Sequence, residues 1–513
     1  MTIRFNILLA SFAAVLMLVV NDSKGAKILA ITLLPSPSHG IWNRVLLEAL
    51  AAKGHQVTAY LPFVGKNKTH EITYHEIEGY FPDEDILDFA DLSIKEHLEI
   101  LWMYGDGISE IQKKADSLKN KLVKESQNQY DLVIFELCYG EYAATLLPSF
   151  NAPIVAINAY ADGFWHWDQM GVENYPSAFA QPLMTFRPPM SFLERTVNFV
   201  TLSYDRFLYS QYLKRQQHVA HETFGKNIAQ IEEVQKTYDF LLVNSGPPGI
   251  NPGRSLPPNV KEVGCLQCRP ADLGRLQKDV KEFLDSATDG FIFFSLGTNI
   301  KSSILPKQVI ADILEVFGKL KVKVLWKFEK DDLPGKTQNV MINKWLSQQD
   351  VLGHKNARLF ISHDGLLSTQ EATYHGVPLF VMPFLLDQHK NAETVISADV
   401  GVKMKYKDFS KERFEAAIKE VLNNPRYKSN ALRRSEIARD SLHTPLEEAV
   451  FWVEYVIRHK GAKHLRPAGQ HLNWIQLYSI DVIAFLLLPV VFVIFALKML
   501  MGFFSKKNKV KRS

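Results

Sequence analysis

Three cysteines in 513 residues, Cys138, Cys265 and Cys268, are too few for a disulfide framework. A lone Cys265-x-x-Cys268 pair lacks the second pair that a structural zinc site requires, so all three read as ordinary structural cysteines. Net charge is scarce as well. The formal value is +4, but the last nine residues, SKKNKVKRS, hold five basic side chains and no acid. With those set aside, 54 basic residues face 55 acidic ones. No basic surface for nucleic acid is implied. Also missing is an Asp-x-Asp pair at a strand end, through which a divalent metal would grip a diphosphate. The nearest approach, Asp83-Glu84-Asp85, follows Phe-Pro and reads as a solvated loop.

What is present is length and apolar content. With 47% hydrophobic and 22% charged residues, the chain is too apolar for disorder and too long for one ordinary domain. Residues 1–25 combine Arg4, the apolar run Ile7 to Val20, and the small residues Ser23 and Gly25 of a signal-peptidase site. Near the other end, Val482 to Leu497 carries no charge, and the run reaches Phe504 if Lys498 snorkels. We therefore expect a transmembrane segment over 475–504 and a cytosolic basic tail over 505–513, because cytosolic flanks collect Lys and Arg. The bulk of the chain is then lumenal, in a single-pass type I protein. Lys509 and Lys511 fit either a dilysine signal for return to the endoplasmic reticulum or an ordinary basic flank. Asn67-Lys68-Thr69, in a polar loop, is the glycosylation triplet of the mature chain.

Between the ends, strands and helices alternate. KILAITLLP reads as a buried strand, GIWNRVLLEALAAK as a helix stopped by Gly54, and HQVTAYLP as the next strand, which makes a βαβ unit. YDLVIFE and APIVAINA continue the series. The stretch ENYPSAFAQPLMTFRPPMSF reads as a long loop leading to a helical insert. GPPGINPGRSLPP, residues 246–258, has eight Gly or Pro in thirteen and reads as a linker. A second series follows: GFIFFSLGT, VKVLWKF, VMINKW, RLFIS and VPLFVMPF. The expected class is α/β, with Rossmann-like domains over 26–245 and 259–445 and a helix and connector over 446–474. Ligands belong at the C-terminal ends of the strands.

RLFISHDGLLSTQE, Arg358 to Glu371, places His363-Asp364-Gly365 between a strand and a helix closed by Gly376. Free amides at a helix start favour an anion, and His363 and Ser368 add donors. Glu371, one turn beyond Ser368, can accept from two adjacent hydroxyls such as a ribose presents. A capped helix with a surface acid is the simpler alternative.

The surrounding segment, KWLSQQDVLGHKNARLFISHDGLLSTQEATYHGVPLFVMPFLLDQHKNA, Lys344 to Ala392, resembles the donor motif of the UDP-glycosyltransferase family. That family's membrane-anchored, lumenal members include the UDP-glucuronosyltransferases and the insect forms. Trp345, Gln348, His354, His363, Gly365, Ser368, Glu371, Gly376, Pro378, Pro383, Asp387, Gln388 and Asn391 fall in family register, and the likeness extends over the whole chain. It implies the type-B glycosyltransferase fold, two facing Rossmann-like domains, and transfer of a hexosyl group from a UDP-sugar to a small lipophilic acceptor with inversion, as in detoxification. Glucose is favoured over glucuronate by the likeness to insect members. By the same resemblance Trp345 stacks on uracil and Gln348 lies beside the base or ribose, while Glu371 holds the ribose hydroxyls. His363, Gly365, Ser368 and the backbone at Gly297-Thr298 face the diphosphate, and Asp387 with Gln388 bind the sugar. No metal or other cofactor is implied, because amides and side-chain donors can stabilise departing UDP. Homo- and hetero-oligomers are both compatible with the sequence.

His39, in LLPSPSHG, sits where the first strand passes into its helix, and an imidazole there can take a proton from an acceptor hydroxyl. The resemblance makes it the catalytic base and aligns its orienting carboxylate, usually Asp, with Glu136. Phe164, Trp165 and Trp167 are candidates for an acceptor pocket or for core. Two positions depart from the family pattern: Asp364 stands where glycine is usual, and Ser347 where many members have proline. Both feed an alternative, a catalytically weak or silent UDP-sugar-binding protein. Asp364 is expected to cap its helix, accepting from the amide of Leu366 or Leu367 in a left-handed backbone conformation.

Overall fold

The computed structural model describes residues 25–62, 64, 72–77, 92–115, 117–246 and 253–510. Asn67, the Asp83-Glu84-Asp85 loop, residues 1–24 of the expected signal and residues 511–513 of the tail lie outside them.

The first sheet is built from β1 (Lys27–Ile31), β2 (Gln56–Leu61), β3 (Ile72–Glu76), β4 (Leu132–Glu136), β5 (Ile154–Asn158), β6 (Phe240–Val243) and β7 (Val260–Glu262). Its order is β3-β2-β1-β4-β5-β6-β7, all parallel. Apolar residues point to both faces of these strands, as a sheet covered on both sides demands. Leu29, Ile31, Val133 and Phe135 enter one core, and Ile28, Ala30, Leu132 and Ile134 enter the other. Helix α1 (Pro37–Ala52) starts with proline, which has no amide to leave unpaired, and buries Trp42, Leu46 and Leu50 at helical spacing against the second core. Helices α2 (Ile94–Gln112) and α3 (Phe192–Phe224) each open with a complete capping box, Ser93 with Glu96 and Ser191 with Glu194.

The second sheet holds β8 (Phe291–Ser295), β9 (Lys323–Lys327), β10 (Val340–Asn343), β11 (Ala357–Ser362), β12 (Leu379–Val381) and β13 (Gly401–Lys403), again parallel, in the order β10-β9-β8-β11-β12-β13. Its principal helices are α4 (Lys307–Gly318), α5 (Leu366–His375), α6 (Gln388–Ser397), α7 (Lys411–Asn423) and α8 (Pro425–Arg439). Helix α9 (Pro445–Arg458) then leaves this domain and packs on the first. Ala449, Val450, Val453 and Val456 join Ile28, Leu46 and Leu242 in one core, and Trp452 stacks on Phe240 at 4.8 Å.

Two sequence readings are corrected, and the pairing of two cysteines, open in the sequence, is added. Val260–Glu262, placed by sequence in the second domain, pairs with β6 and completes the first sheet, so the chain crosses over only after it. Cys265 and Cys268 are joined in a disulfide, and of the three cysteines Cys138 alone is free, and buried. The apolar helix begins at Ile480 rather than 475: α10 (Ile480–Val510) contains a 22-residue stretch to Met501 long and apolar enough to cross a membrane. At 1.5 Å per residue that stretch spans about 33 Å.

Because α9 seals the first core, a defect in it should be felt far from it in sequence. Val453→Ala, at a fully buried position, is expected to cost about 1–2.5 kcal/mol, by analogy with other buried truncations. Hydrogen exchange should show the loss of protection in β1, β2 and α1. Loss confined to the second sheet would contradict this packing.

Candidate active site

Each sheet reverses its strand order once, at β1/β4 in the first and at β8/β11 in the second. Crevices form at such reversals, beyond the carboxyl ends of the strands. His39 stands in the first turn of α1, just after β1, and Glu136 is the last residue of β4. Their side chains meet: His39 Nδ1 is 2.7 Å from Glu136 Oε1. A carboxylate only accepts, so Nδ1 carries the proton of that bond, and the tautomer this selects for the neutral ring has its lone pair on Nε2. The pair expected from sequence is thus assembled, despite the longer reach of Glu in place of Asp.

At the other crevice, the His363 ring lies between Gly297 and Gly365. A Cβ at Gly297 would sit 2.4 Å from His363 Cε1, and one at Gly365 would sit 2.5 Å from its Nε2. Both glycines are required by this approach, and Gly297 has φ 83° besides. Burial, with the charge of Lys327 behind it, lowers the His363 pKa to about 3, so the ring is neutral. Its Nδ1 is buried and has no partner. Among the described residues, the Thr298 hydroxyl bonds only its neighbour Asn299, at 3.4 Å. Lys327, which sequence reasoning missed, donates to the Gly297 carbonyl at 2.7 Å and pairs with Glu329 at 3.2 Å. The signal was available: it is the last residue of a parallel strand, on the edge where ligands bind.

Gln348, Ser368 and Glu371 also come together. The Gln348 amide donates to Ser368 Oγ at 3.1 Å and to Glu371 Oε2 at 2.7 Å. Burial raises the Glu371 pKa to about 7 against these hydrogen bonds. Trp345 stands apart, 60% exposed, with its ring free to stack. Asp387, at the start of α6, accepts from Asn391 at 2.9 Å, and burial raises its pKa. Leu366 of α5 packs on Ala161, which follows β5, and Lys390 of α6 bonds Asp162, so the two crevices face one another. Gln388 Oε1 accepts from the amides of Phe384 and Leu385 at 2.9 and 3.2 Å, leaving its NH₂ as the group able to bind a ligand.

The cap expected of Asp364 is not formed. Asp364 does have the left-handed backbone, φ 65°, but the N-cap of α5 is Gly365 and no side chain bonds the helix-start amides. The Asp364 carboxyl is fully buried, accepts from Thr369 Oγ1 at 2.6 Å, and leaves Oδ2 without a partner. The reason is register: φ 65° turns the side chain beneath the helix, where Thr369 waits. The amides of α5 are therefore left for an anion. Ser347, the other departure, donates to Asp350, which Arg269 grips with two bonds of 2.7 and 2.8 Å. Phe164, Trp165 and Trp167 are buried core side chains. An interdomain cavity of about 340 Å³ reaches the start of α6, lined by Ile94, Met184, Phe186, Val197, Leu386 and His389 among others.

Burial raises the Asp364 pKa from 3.8 to about 7. The folded protein therefore holds a proton that the unfolded chain releases above about pH 4, so this group lowers stability progressively from about pH 4 to about pH 7. Asp364→Asn should melt higher than wild type at pH 8, by an increment on the order of 3 kcal/mol, and the gap should close towards pH 4. Paired melting curves at pH 5 and pH 8 check this; a pH-independent difference would contradict it.

A sequence profile described as UDP-glucoronosyl and UDP-glucosyl transferase matches residues 26–512. UDP-glucosyltransferase 2 of Dactylopius coccus is 31% identical over 502 residues, covering 94% of this chain and 93% of that one. UDP-glucuronosyltransferase 2B15 of Rattus norvegicus is 30% identical over 505 residues, covering 92% and 93%. Among solved structures, the glycotransferase of kitacinnamycin superposes with a TM-score of 0.58 at 18% identity, over 84% of this chain and 99% of that one. Os79 from O. sativa, solved in complex with UDP, superposes with a TM-score of 0.55 at 17% identity, over 83% and 99%. The architecture is that of the type-B glycosyltransferases, and the chain belongs to the UDP-glucuronosyl and UDP-glucosyl transferase family.

Proposed function

We propose that the protein transfers a hexosyl group, glucose in preference to glucuronate, from a UDP-sugar to a hydroxyl of a small lipophilic acceptor with inversion, in a conjugating role. The observation that carries this is the His39–Glu136 pair at one crevice, facing the starts of α5 and α6 at the other through the Ala161–Leu366 and Asp162–Lys390 contacts. His39 Nε2 takes the acceptor proton as the acceptor oxygen bonds to the anomeric carbon, and Glu136 holds the imidazolium that forms. The bond from that carbon to UDP breaks in the same displacement, which inverts the centre. UDP leaves with the bonding electrons, and its charge is met by the free amides of α5, by His363 and Ser368, and by Lys327. Trp345 offers a plane for uracil, Gln348 with Glu371 binds the ribose, Gly297 and Gly365 admit the diphosphate, and Asp387 with Gln388 binds the sugar. In this scheme the charge is met without a metal or other cofactor. The cavity reaching Leu386, next to Asp387, suits an apolar acceptor. The silent-binder alternative rested on Asp364 and Ser347, and both side chains have partners inside the fold.

We further propose that α10 anchors the protein in the endoplasmic reticulum membrane with both domains lumenal, supported by the length of its apolar stretch and by the basic residues that follow Met501 in sequence.

Microsomes containing the protein should turn over radiolabelled UDP-glucose, and UDP-glucuronate more slowly, with phenols and other lipophilic alcohols. His39→Ala should lower turnover by about 10²–10⁴ while UDP affinity stays nearly unchanged. Glu371→Ala should weaken UDP binding first. Wild-type turnover in the His39 variant would point to another base. For topology, protease added to sealed microsomes should remove no more than the basic tail, and Asn67 should carry an endoglycosidase-sensitive glycan; digestion of the whole body would reject the lumenal placement.

A further inference from the structure

Asp162 follows β5 in the first domain and is nearly buried, yet it carries two cations from elsewhere in the chain. Lys390 of α6, in the second domain, bonds its Oδ2, and Arg254, in the linker ahead of β7, bonds its Oδ1. Trp167 Nε1 donates to the same Oδ1 at 3.2 Å. Arg254 is fixed in turn: it donates to Asn174 Oδ1 at 3.0 Å, and its guanidinium lies 3.7 Å from the Phe179 ring centroid and 5.0 Å from that of Trp167. Burial alone would raise the Asp162 carboxyl, but Lys390 and Arg254 outweigh it and hold the pKa at about 2.

The position of Lys390 gives this cluster its consequence. It lies one turn along α6 from Asp387 and Gln388, the residues read above as facing the transferred sugar. The base sits in the first domain and the sugar-facing turn in the second, so the transfer geometry depends on how firmly the domains are held. On the hinge side the tie is Gln370, which donates to Asn244 Oδ1 and the Gly246 carbonyl, both at 2.9 Å. On the α6 side, among the described residues, Arg187 Nη1 also donates to the Glu393 carbonyl, an exposed contact of 3.3 Å, while Leu366 of α5 packs on Ala161 without a hydrogen bond to fix it. An exposed contact of that length holds little, whereas a buried charge pair is stiff and costly to open.

We propose that Asp162, Lys390 and Arg254 form an interdomain latch, with Lys390 a positioning residue that sets the sugar-facing turn of α6 against His39. The proposal rests on the reading of the cleft as the transfer site. Lys390 can be neutralised cleanly, because Asp162 keeps Arg254 as partner and the first domain retains its packing. Asp162→Asn, by contrast, strands two buried cations.

Lys390→Met should lower kcat about 10- to 100-fold, the scale for misplacing a reacting group by about 1 Å, while the UDP Kd changes less than about threefold. Lys390→Arg should restore kcat to within about fivefold of wild type. In the Asp162→Asn background, adding Lys390→Met should change kcat by less than about threefold, since the tie is already broken. A second readout needs no turnover. Spin labels at Met103→Cys and Lys419→Cys, exposed positions on the two domains, should give one narrow distance distribution in the full-length wild type and a broader, longer one in Lys390→Met. An unchanged distribution overturns the latch whatever the activity. A UDP Kd that rises by the factor kcat falls also overturns it, because Lys390 would then be a donor ligand. A wild-type protein inert with every UDP-sugar ends the transferase reading instead, and the distance measurement still decides the latch.

Discussion

The reversal of strand order in each sheet is the constraint on which the rest of the molecule depends. A parallel strand delivers its next residues to the carboxyl edge, and where the order reverses the following connections diverge and leave a crevice. At β1/β4 that edge receives His39 and Glu136, one from each strand flanking the gap. At β8/β11 it receives Gly297 and His363 in the same relation. The two constellations are thus products of one topological rule applied twice. Their juxtaposition, with Leu366 of α5 on Ala161 and Lys390 of α6 on Asp162, is what two such domains gain by facing each other.

Around the second crevice, burial works against charge. It holds His363 neutral and moves Glu371 and Asp364 up to about 7. A region that penalises its own ions suits a ligand that arrives charged only if fixed dipoles replace the lost water, since dipoles already oriented need no rearrangement when charge develops. The uncapped amides of α5 are such dipoles, and Lys327 is the full charge set behind them. The displacement of Asp364 towards Thr369 matters for this reason: a capping carboxylate would have consumed the amides an anion needs. The unpartnered Nδ1 of His363 belongs to the same account, as a buried polar atom whose partner would be the ligand.

The strands legible in the sequence were those buried on both faces, where uninterrupted runs such as KILAI, LVIFE and FIFFS leave little alternative. Those not foreseen are short or at edges. β3 carries a mixed pattern, ITYHE, on the outer edge; β7 and β13 have three residues each; and β6, FLLV, is a four-residue run too short to separate from a buried turn. In the site, residues within one motif were legible because spacing fixes them. Lys327 and Lys390 were not, since a lysine at an element's end reads as solvated surface until its neighbours across the fold are known. Asp162 was hidden in the same way: its partners come from 92 and 228 residues away. The Asp364 cap failed on a finer point, for sequence supplies a residue able to cap but not the backbone angle that decides where its carboxyl points.

The latch bears on donor choice. A hexuronate presents a carboxylate, for which a guanidinium fork is the best receptor and an ammonium the next. On the sugar-facing turn of α6 the nearest cation is Lys390, and it is already committed to Asp162. The group beside it is Asp387, itself an acid that burial disfavours as an ion. A second carboxylate about 5 Å from an ionised Asp387 would cost on the order of 3 kcal/mol at an effective dielectric of 20. Recruiting Lys390 to offset that repulsion would release Asp162 and loosen the domains at the moment of transfer. A neutral hexose makes neither demand: its hydroxyls can donate to Asp387 and accept from the NH₂ of Gln388, the one hydrogen-bonding group of that side chain the loop leaves open. The proposed preference for glucose thus rests on a lysine engaged elsewhere, the same engagement that in the proposed latch sets the sugar against the base.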